Sequence, residues 1–401
     1  MSGVFVGFGF GAIQGGLFLP AVQRSGNFDR IIIAEIESDI IFGVRANQGR
    51  FACNVAHDDR VELVSVENVE VLNPLDPDNR ETLVQAVAEA KELVTALPSF
   101  RLYNEEPAPA ARLLAEGLTR KCKRPDLSPA VVYAAENDMR AAARLEAFCW
   151  DHAPSGFGEK VVFSETVIPK MCSVVTDQER MEKEELVPMY PGSSRAILVE
   201  AYDGVMIDAH HPPGFERGLD GFSEKTDLDP FAHAKFIGHN AVHAWLGYMA
   251  QSEGMTHMGQ LNKRGDLMRL AGKVFLEEVG PGLIHAHSRT GDSLFTESGL
   301  KQYAQSALKR MINPFLNDPI DRVTRDPVRK LGWDDRLLGA MRLAREAGVE
   351  PNLLAQGARL ALDRAVKETH KQPADLLDRI WPEDLATEEK AFFRSLLLES
   401  A

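Results

Sequence analysis

Cysteine is scarce in this chain. Its 401 residues hold four, Cys53, Cys122, Cys149 and Cys172, and no two of them form a CxxC pair. A disulfide framework is thereby excluded, and buried, inert thiols in a reduced cytoplasmic setting are the expectation. Long apolar runs are also missing: none approaches the ~20 residues that a membrane span needs. The N-terminal "MSGVFVGFGFGAIQGG" lacks a basic flank and is broken by glycines, which argues against a secretory signal. Positive charge is in deficit as well. The formal net charge of −14 disfavours nucleic acid and anionic membrane as partners. An anionic small molecule would need a local basic pocket against that field.

What remains is ordinary globular composition, 44% hydrophobic and 26% charged, in a chain long enough for two domains. The first half alternates short β-rich runs with helical stretches. "GVFVGF", "DRIIIAEI", "VELVSVENVEVL", "ELVTALPS", "AVVYAAEN" and "EKVVFSETVI" read as strands of a mainly parallel, doubly wound sheet. "NPLDPDNRE" and "EEPAPAA" read as helix-starting loops, and "TRKCKRPD" as a solvated basic loop. "SRAILVEAYDGVMID" adds β structure, and "AHHPPGFERG" an irregular connector. From Asp227 the pattern is helical almost to the end; "DRLLGAMRLAREAG" closes on Gly348 as a C-cap. The expected architecture is an α/β dinucleotide-binding domain over 1–197, Rossmann-like, followed by a mostly α-helical substrate domain over 198–401. The cleft between them is the default place for chemistry.

Residues 4–17, "VFVGFGFGAIQGGL", run from a strand through glycines into a helical start. Backbone can approach a pyrophosphate at a helix N-terminus only where side chains are absent. Two registers fit, Gly7-Gly9-Ala12 and Gly9-Gly11-Gln14. The second is preferred because Val4 to Phe8 then make a full strand, and it assigns Gly9, Gly11, Ala12, Ile13 and Gln14 to cofactor binding. The next strand ends in Glu35, near the spacing expected of an acid that binds a ribose diol, with Glu37 as a competitor. An acid there repels a 2′-phosphate, so NAD is expected rather than NADP.

The segment "AKFIGHNAVHAWLG", 234–247, sets a lysine, two histidines and an asparagine on an otherwise apolar helix. On an ideal α-helix Lys235, Asn240 and His243 fall within an arc of about 140° and can face one cleft. His239 lies between Lys235 and His243. His239 and His243 have the spacing of a metal pair, but no glutamate follows the first histidine and no third ligand is near in sequence, so no metal is expected. Packing of all four on an interdomain face is the alternative.

The spacing K-x4-N-x2-H, with "HAWLGYMA" after it, resembles the signature of the polyol-specific long-chain dehydrogenases. "VVYAAENDMRAAARL" (131–145) and "RMINPFLNDPIDRVTRDPVRKLGWDDRLLG" (310–339) resemble further segments of that family, in the same order. The resemblance implies a metal-independent, NAD-dependent oxidoreductase acting on a small-molecule polyol or sugar phosphate. Mannitol 1-phosphate and fructose 6-phosphate are the specific pair it suggests. It implies Lys235 as general base, Asn240 and Asn137 as donors to the reacting oxygen, and His243 as an orienting group. The amine must be neutral to take a proton, which burial or nearby positive charge favours. Glu136 is implied as a positioning or proton-path group near the cofactor, or simply a strand-end cap. Arg325 and Arg329, in "RVTRDPVRKL", suit phosphate oxygens, with His239 as a further substrate contact; a salt-bridge network with neighbouring aspartates is the alternative. The family usually shows an Asp-Arg pair where Pro169-Lys170 stands here, which points to a different polyol or slower turnover. His210-His211 and His285-x-His287 read as loop or surface histidines. An unphosphorylated hexitol, a sugar acid, or a non-catalytic NAD sensor are the alternatives; a monomer or small homo-oligomer is expected.

Overall fold

Val4, Phe5, Val6 and Phe8 can be nearly continuous in apolarity because both faces of their strand are covered. Phe5 joins Ile31, Ile33, Val94 and Val131 in one core, while Val6 and Phe8 join Ile32, Ala34, Leu83 and Val132 in another. Alternate side chains of one strand thus feed the two faces of one sheet. The computed structural model describes residues 3–138, 140–153, 155–383 and 386–398.

The strands are β1 (Gly3–Phe8), β2 (Phe28–Ala34), β3 (Phe51–Ala56), β4 (Val61–Val66), β5 (Val69–Leu72) and β6 (Glu92–Thr95). They continue with β7 (Ala130–Ala134), β8 (Val161–Val167), β9 (Cys172–Val175), β10 (Ala196–Glu200), β11 (Met206–Asp208) and β12 (Ser223–Lys225). The larger sheet has the order β12-β11-β8-β7-β6-β1-β2-β5, parallel from β8 to β5. Strand order reverses between β1 and β6, the switch point at which doubly wound sheets bind ligands beyond their carboxyl ends. The smaller sheet, β4-β3-β10-β9, packs Ile197 and Val199 against the helix that follows β1. The expected α/β half is therefore present. "VELVSVENVEVL" divides into β4 and β5, which enter different sheets, and β3 was not legible as a strand.

The chain divides into two units, Met1–Asp229 and Pro230–Ala401. Residues 198–229, assigned by sequence to the second half, go with the first because β10, β11 and β12 pair into its sheets. A buried network fixes the connector before β12. The Glu92 carboxylate accepts from the Gly218 and Leu219 amides and from Tyr133 Oη, and Arg217 donates to that same Oη. "TRKCKRPD" also departs from expectation. The helix Ala110–Cys122 runs through its start, and Lys121 is fully buried, donating to the Ser128 carbonyl at 2.8 Å. Burial, with Lys160 nearby, brings its ammonium down to about 8.

The second unit is helical. Helix Asn240–Ser252 buries Trp245, whose Nε1 donates to the Leu353 carbonyl at 2.8 Å, against helix Asn352–Thr369. Gly357 makes the room for that indole. Helix Arg336–Glu346 ends near Gly348, which has φ +77°, as its C-cap role requires. Among the described residues no helix is long and apolar enough to cross a membrane.

Candidate active site

In the first unit the glycine turn lies at the switch point. Gly9 has φ +85°, and a Cβ there would stand 3.0 Å from the Ala96 carbonyl oxygen. Only glycine suits both conditions. Gly7 is an ordinary strand residue paired with Ile33 and Val94, so the turn itself begins at Gly9. Gly11 meets nothing within 4 Å where a Cβ would be, leaving its backbone open. Ala12 and Ile13 begin the helix, where the first amides have no partner within the helix. These residues fit a dinucleotide pyrophosphate.

Gln14 replaces the glycine usual at the third position, and the structure explains how. Its side chain is fully buried and fills the space that Gly7 leaves free; a Cβ on Gly7 would stand 2.5 Å from Gln14 Nε2. Neither Gln14 Nε2 nor Oε1 has a hydrogen-bond partner among the described residues. Close helix-to-strand packing passes instead to Gly15 and Gly16, which lie against Ile197 and Val199. The helix carries a π-turn at Gln14–Phe18.

Glu35 directly follows β2, which ends one residue earlier than expected, and is 9% exposed. Its carboxylate accepts from the Phe10 amide at 2.8 Å, the Ile36 amide at 2.7 Å and the Glu37 amide at 2.9 Å. Three of roughly four acceptor positions are thereby used, so Glu35 fixes the turn while one position stays open. Glu37, the competitor, is ion-paired with Arg195 at 2.5 Å. Glu136 accepts from Tyr103 Oη, from Thr95 Oγ1 at 3.0 Å and from the Leu97 amide at 2.9 Å. Burial pushes its carboxyl up to about 7 against those bonds. Asn137 follows it, exposed at the carboxyl edge of the sheet. Lys170, at the departure from the family pattern, is a buried ion-pair partner of Asp203 at 2.7 Å.

In the second unit the helix bearing Lys235 is not a plain α-helix. Ala234–His239 form a π-turn, and the Asn240 amide bonds to the Lys235 carbonyl. In an α-helix residues five apart diverge by about 140°. A hydrogen-bonded ring that spans five residues sets Lys235 and Asn240 one above the other instead, so the arc is narrower than an ideal helix gives. Lys235, Asn240 and His243 are half-buried, while His239 is 3% exposed. The His239 and His243 rings stand edge to face at 5.9 Å. Neither His239 Nδ1 nor His243 Nε2 has a hydrogen-bond partner among the described residues. Burial holds both imidazoles neutral, His243 down to about 4 and His239 well below its ordinary range. Among the described residues no group of three or more His, Cys, Asp or Glu is arranged to hold a metal ion.

Residues 318–336 add groups around this helix; the sequence reading named Arg322, Arg325, Arg329 and Lys330 as cations suited to phosphate and left Asp318 to the alternative salt-bridge network. Asp318 Oδ2 lies 3.7 Å from His243 Nε2, and Arg322 grips both Asp318 oxygens at 2.5 and 2.6 Å. Their i, i+4 spacing was the available signal. Lys330 is 2% exposed and donates to the Arg325 carbonyl; burial, Arg336 and Arg329 bring it down to about 8. Arg336 stacks on Phe236 at 5.1 Å, next to Lys235. Arg325 itself is exposed, and Arg329 pairs with Asp335 at 3.2 Å and Asp326 at 3.9 Å. His287 is not a plain surface residue, since its Nε2 stands 2.7 Å from His233 Nδ1.

Residues 227–391 match the mannitol dehydrogenase C-terminal domain. The chain is 25% identical over 364 residues to the mannitol-1-phosphate 5-dehydrogenase of Bacillus licheniformis, covering 88% of this chain and 86% of that protein. The enzyme of that name from Lactococcus lactis is 26% identical over 339 residues, 84% of this chain and 81% of its own. In fold, the chain resembles a substrate-free D-sorbitol dehydrogenase, with a TM-score of 0.72, 14% identity, and 90% and 80% of the two chains covered. It also resembles Pseudomonas fluorescens mannitol 2-dehydrogenase, solved with NAD and D-mannitol, with a TM-score of 0.61 and 13% identity over 100% and 85% of the chains. The resemblance drawn from the sequence is thus borne out.

Proposed function

We propose that this relative of the mannitol-1-phosphate 5-dehydrogenases is an NAD-dependent oxidoreductase that interconverts a hexitol phosphate and its ketose phosphate. Mannitol 1-phosphate and fructose 6-phosphate are the preferred pair. The observation that carries this reading is the π-turn that stacks Lys235 over Asn240 on an otherwise apolar, buried helix. A base and an amide donor on one face are what deprotonating an alcohol needs.

In this reading Lys235 takes the hydroxyl proton. Asn240 donates to the oxygen as it becomes alkoxide-like, and Asn137 is kept as a second amide donor. His243 orients the hydroxyl. NAD, when bound, supplies the two-electron acceptor. Gly9 and Gly11 leave room for its pyrophosphate, and the amides at Ala12, Ile13 and Gln14 face that charge at a helix start. Glu35 sets a negative charge at the end of β2, which favours NAD over its 2′-phosphorylated form. Glu136 holds the ends of β6 and β7. Arg325, Arg329 and His239 are assigned to substrate, and the buried Lys330 with Arg336 favours an anionic one. The assigned setting is the cytoplasm, as a monomer or small homo-oligomer that binds no nucleic acid.

An unphosphorylated hexitol or a sugar acid is the second reading, and a specific observation favours it: Arg329 is already paired with Asp335 and Asp326. The deciding experiment mixes purified protein, NAD and a panel of polyols and polyol phosphates and follows absorbance at 340 nm. Turnover on mannitol 1-phosphate supports the proposal, and turnover on mannitol alone supports the second reading. NAD binding without turnover on any polyol makes the protein a sensor.

A further inference from the structure

His243 has one nitrogen whose surroundings are fixed. Its Nε2 is buried without a hydrogen-bond partner among the described residues, in a side chain 13% exposed. Asp318 Oδ2 stands 3.7 Å away, just beyond hydrogen-bond reach, in a side chain 7% exposed. Asp318 cannot easily turn aside. Arg322 holds its two oxygens at 2.5 and 2.6 Å, and the Met258 amide donates to its backbone carbonyl at 2.9 Å. The neighbouring Pro319 is tied to His257 by a β-bridge. A carboxylate clamped by a guanidinium remains an acceptor only. An imidazole nitrogen facing it is stable as N–H and is repelled as a lone pair. His243 therefore has a tautomer to choose, because burial keeps it neutral; Arg322, Arg336 and Lys330 act in the same direction, and Asp318 opposes them.

We propose that Asp318 is the positioning residue of this site. It fixes His243 as the neutral Nε2–H tautomer and so leaves Nδ1 to accept a hydrogen bond from the substrate hydroxyl next to the one that gives its proton to Lys235. On substrate binding the 3.7 Å gap closes to a hydrogen bond. Arg322 holds Asp318 in line, as a third group orients the base in other acid–base pairs. The kinetic half of this inference rests on the dehydrogenase reading; the tautomer does not.

The test has two arms. In protein carrying 15N-labelled histidine, the His243 signals are identified by their loss in His243→Ala. They should report Nε2–H at neutral pH in the wild type. In Asp318→Asn the ring no longer faces a carboxylate, so the preference for Nε2–H should weaken and Nδ1–H should appear. The second arm is a double-variant cycle on the best polyol. Asp318→Asn should lower kcat/KM by about 10²-fold with NAD affinity unchanged, and in a His243→Ala background by less than about 3-fold. A wild-type Nδ1–H tautomer, or losses that simply multiply in the double variant, would overturn the assignment. If Asp318→Asn does not fold, the wild-type tautomer alone decides. A wild type without turnover on any polyol ends the dehydrogenase reading, and the tautomer then decides for or against Asp318 by itself.

Discussion

Replacing Glu136 with glutamine takes a charge out of a site that is 6% exposed. Burial is the largest influence on this carboxyl and pushes it from its ordinary 4.5 up to about 7, even though Tyr103, Thr95 and the Leu97 amide all donate to it. The folded chain therefore holds this proton more tightly than the unfolded chain. Below pH 4.5 both states are protonated, and the favourable term is fully present. Between 4.5 and 7 the unfolded chain loses its proton first, so stability falls as pH rises, and the loss is complete above 7. At about 1.4 kcal/mol per pH unit the difference amounts to about 3 kcal/mol. In Glu136→Gln the amide oxygen can still accept from Leu97, and the amide nitrogen can donate to Tyr103 and Thr95. The variant has no charge to desolvate and lacks this pH dependence. For a unit the size of Met1–Asp229, each kcal/mol is about 2–4 °C in Tm, so the variant should gain about 6–12 °C on the wild type between pH 4.5 and 8. Calorimetry at several pH values and fixed ionic strength measures this, and the comparison cancels the other carboxyls. A difference between the two proteins that stays constant with pH would refute the reasoning.

Lys235→Ala should lower kcat by about 10²- to 10⁴-fold and leave NAD affinity nearly intact; steady-state kinetics with NAD titration checks it, and loss of both together would make the residue structural. Arg329→Ala should raise KM for a phosphorylated polyol and leave KM for its unphosphorylated counterpart unchanged. No change in either would remove Arg329 from the phosphate site. Gly16→Ala puts a Cβ into Val199 Cγ1, which is fully buried, and 3.2 Å from Ile197 Cγ2. Overpacking of this kind costs about 1–3 kcal/mol, and a thermal melt of the variant measures it.

The glycine turn shows how far local reading goes. That the turn begins at Gly9 was legible because a strand needs its full length and a turn needs a residue free of Cβ. That Gln14 is accommodated by Gly7, with Gly15 and Gly16 taking over the close packing, was not, since the residues they meet lie on β10. Glu35 was found by its spacing, yet its three amide partners follow from how β2 ends against the turn. Lys121 looked solvated inside a basic run and is buried, because its helix extends further than the charge pattern suggests.

By itself the sequence determined most of the elements and the polar residues of one apolar helix. Apolar periodicity, glycine freedom and capping act within a few residues of one another, and so does the spacing of Lys235, Asn240 and His243. The tertiary structure alone decided which groups meet. The π-turn that aligns Lys235 with Asn240 is a choice of one hydrogen-bond partner over its neighbour, which composition does not encode. Asp318 lies 75 positions beyond His243, and only the folding of segment 318–336 onto the helix brings its carboxylate to 3.7 Å. Residues 198–229 joined the first unit for the same reason: strand partners and buried hydrogen bonds are set by distance in space, which a linear pattern leaves open.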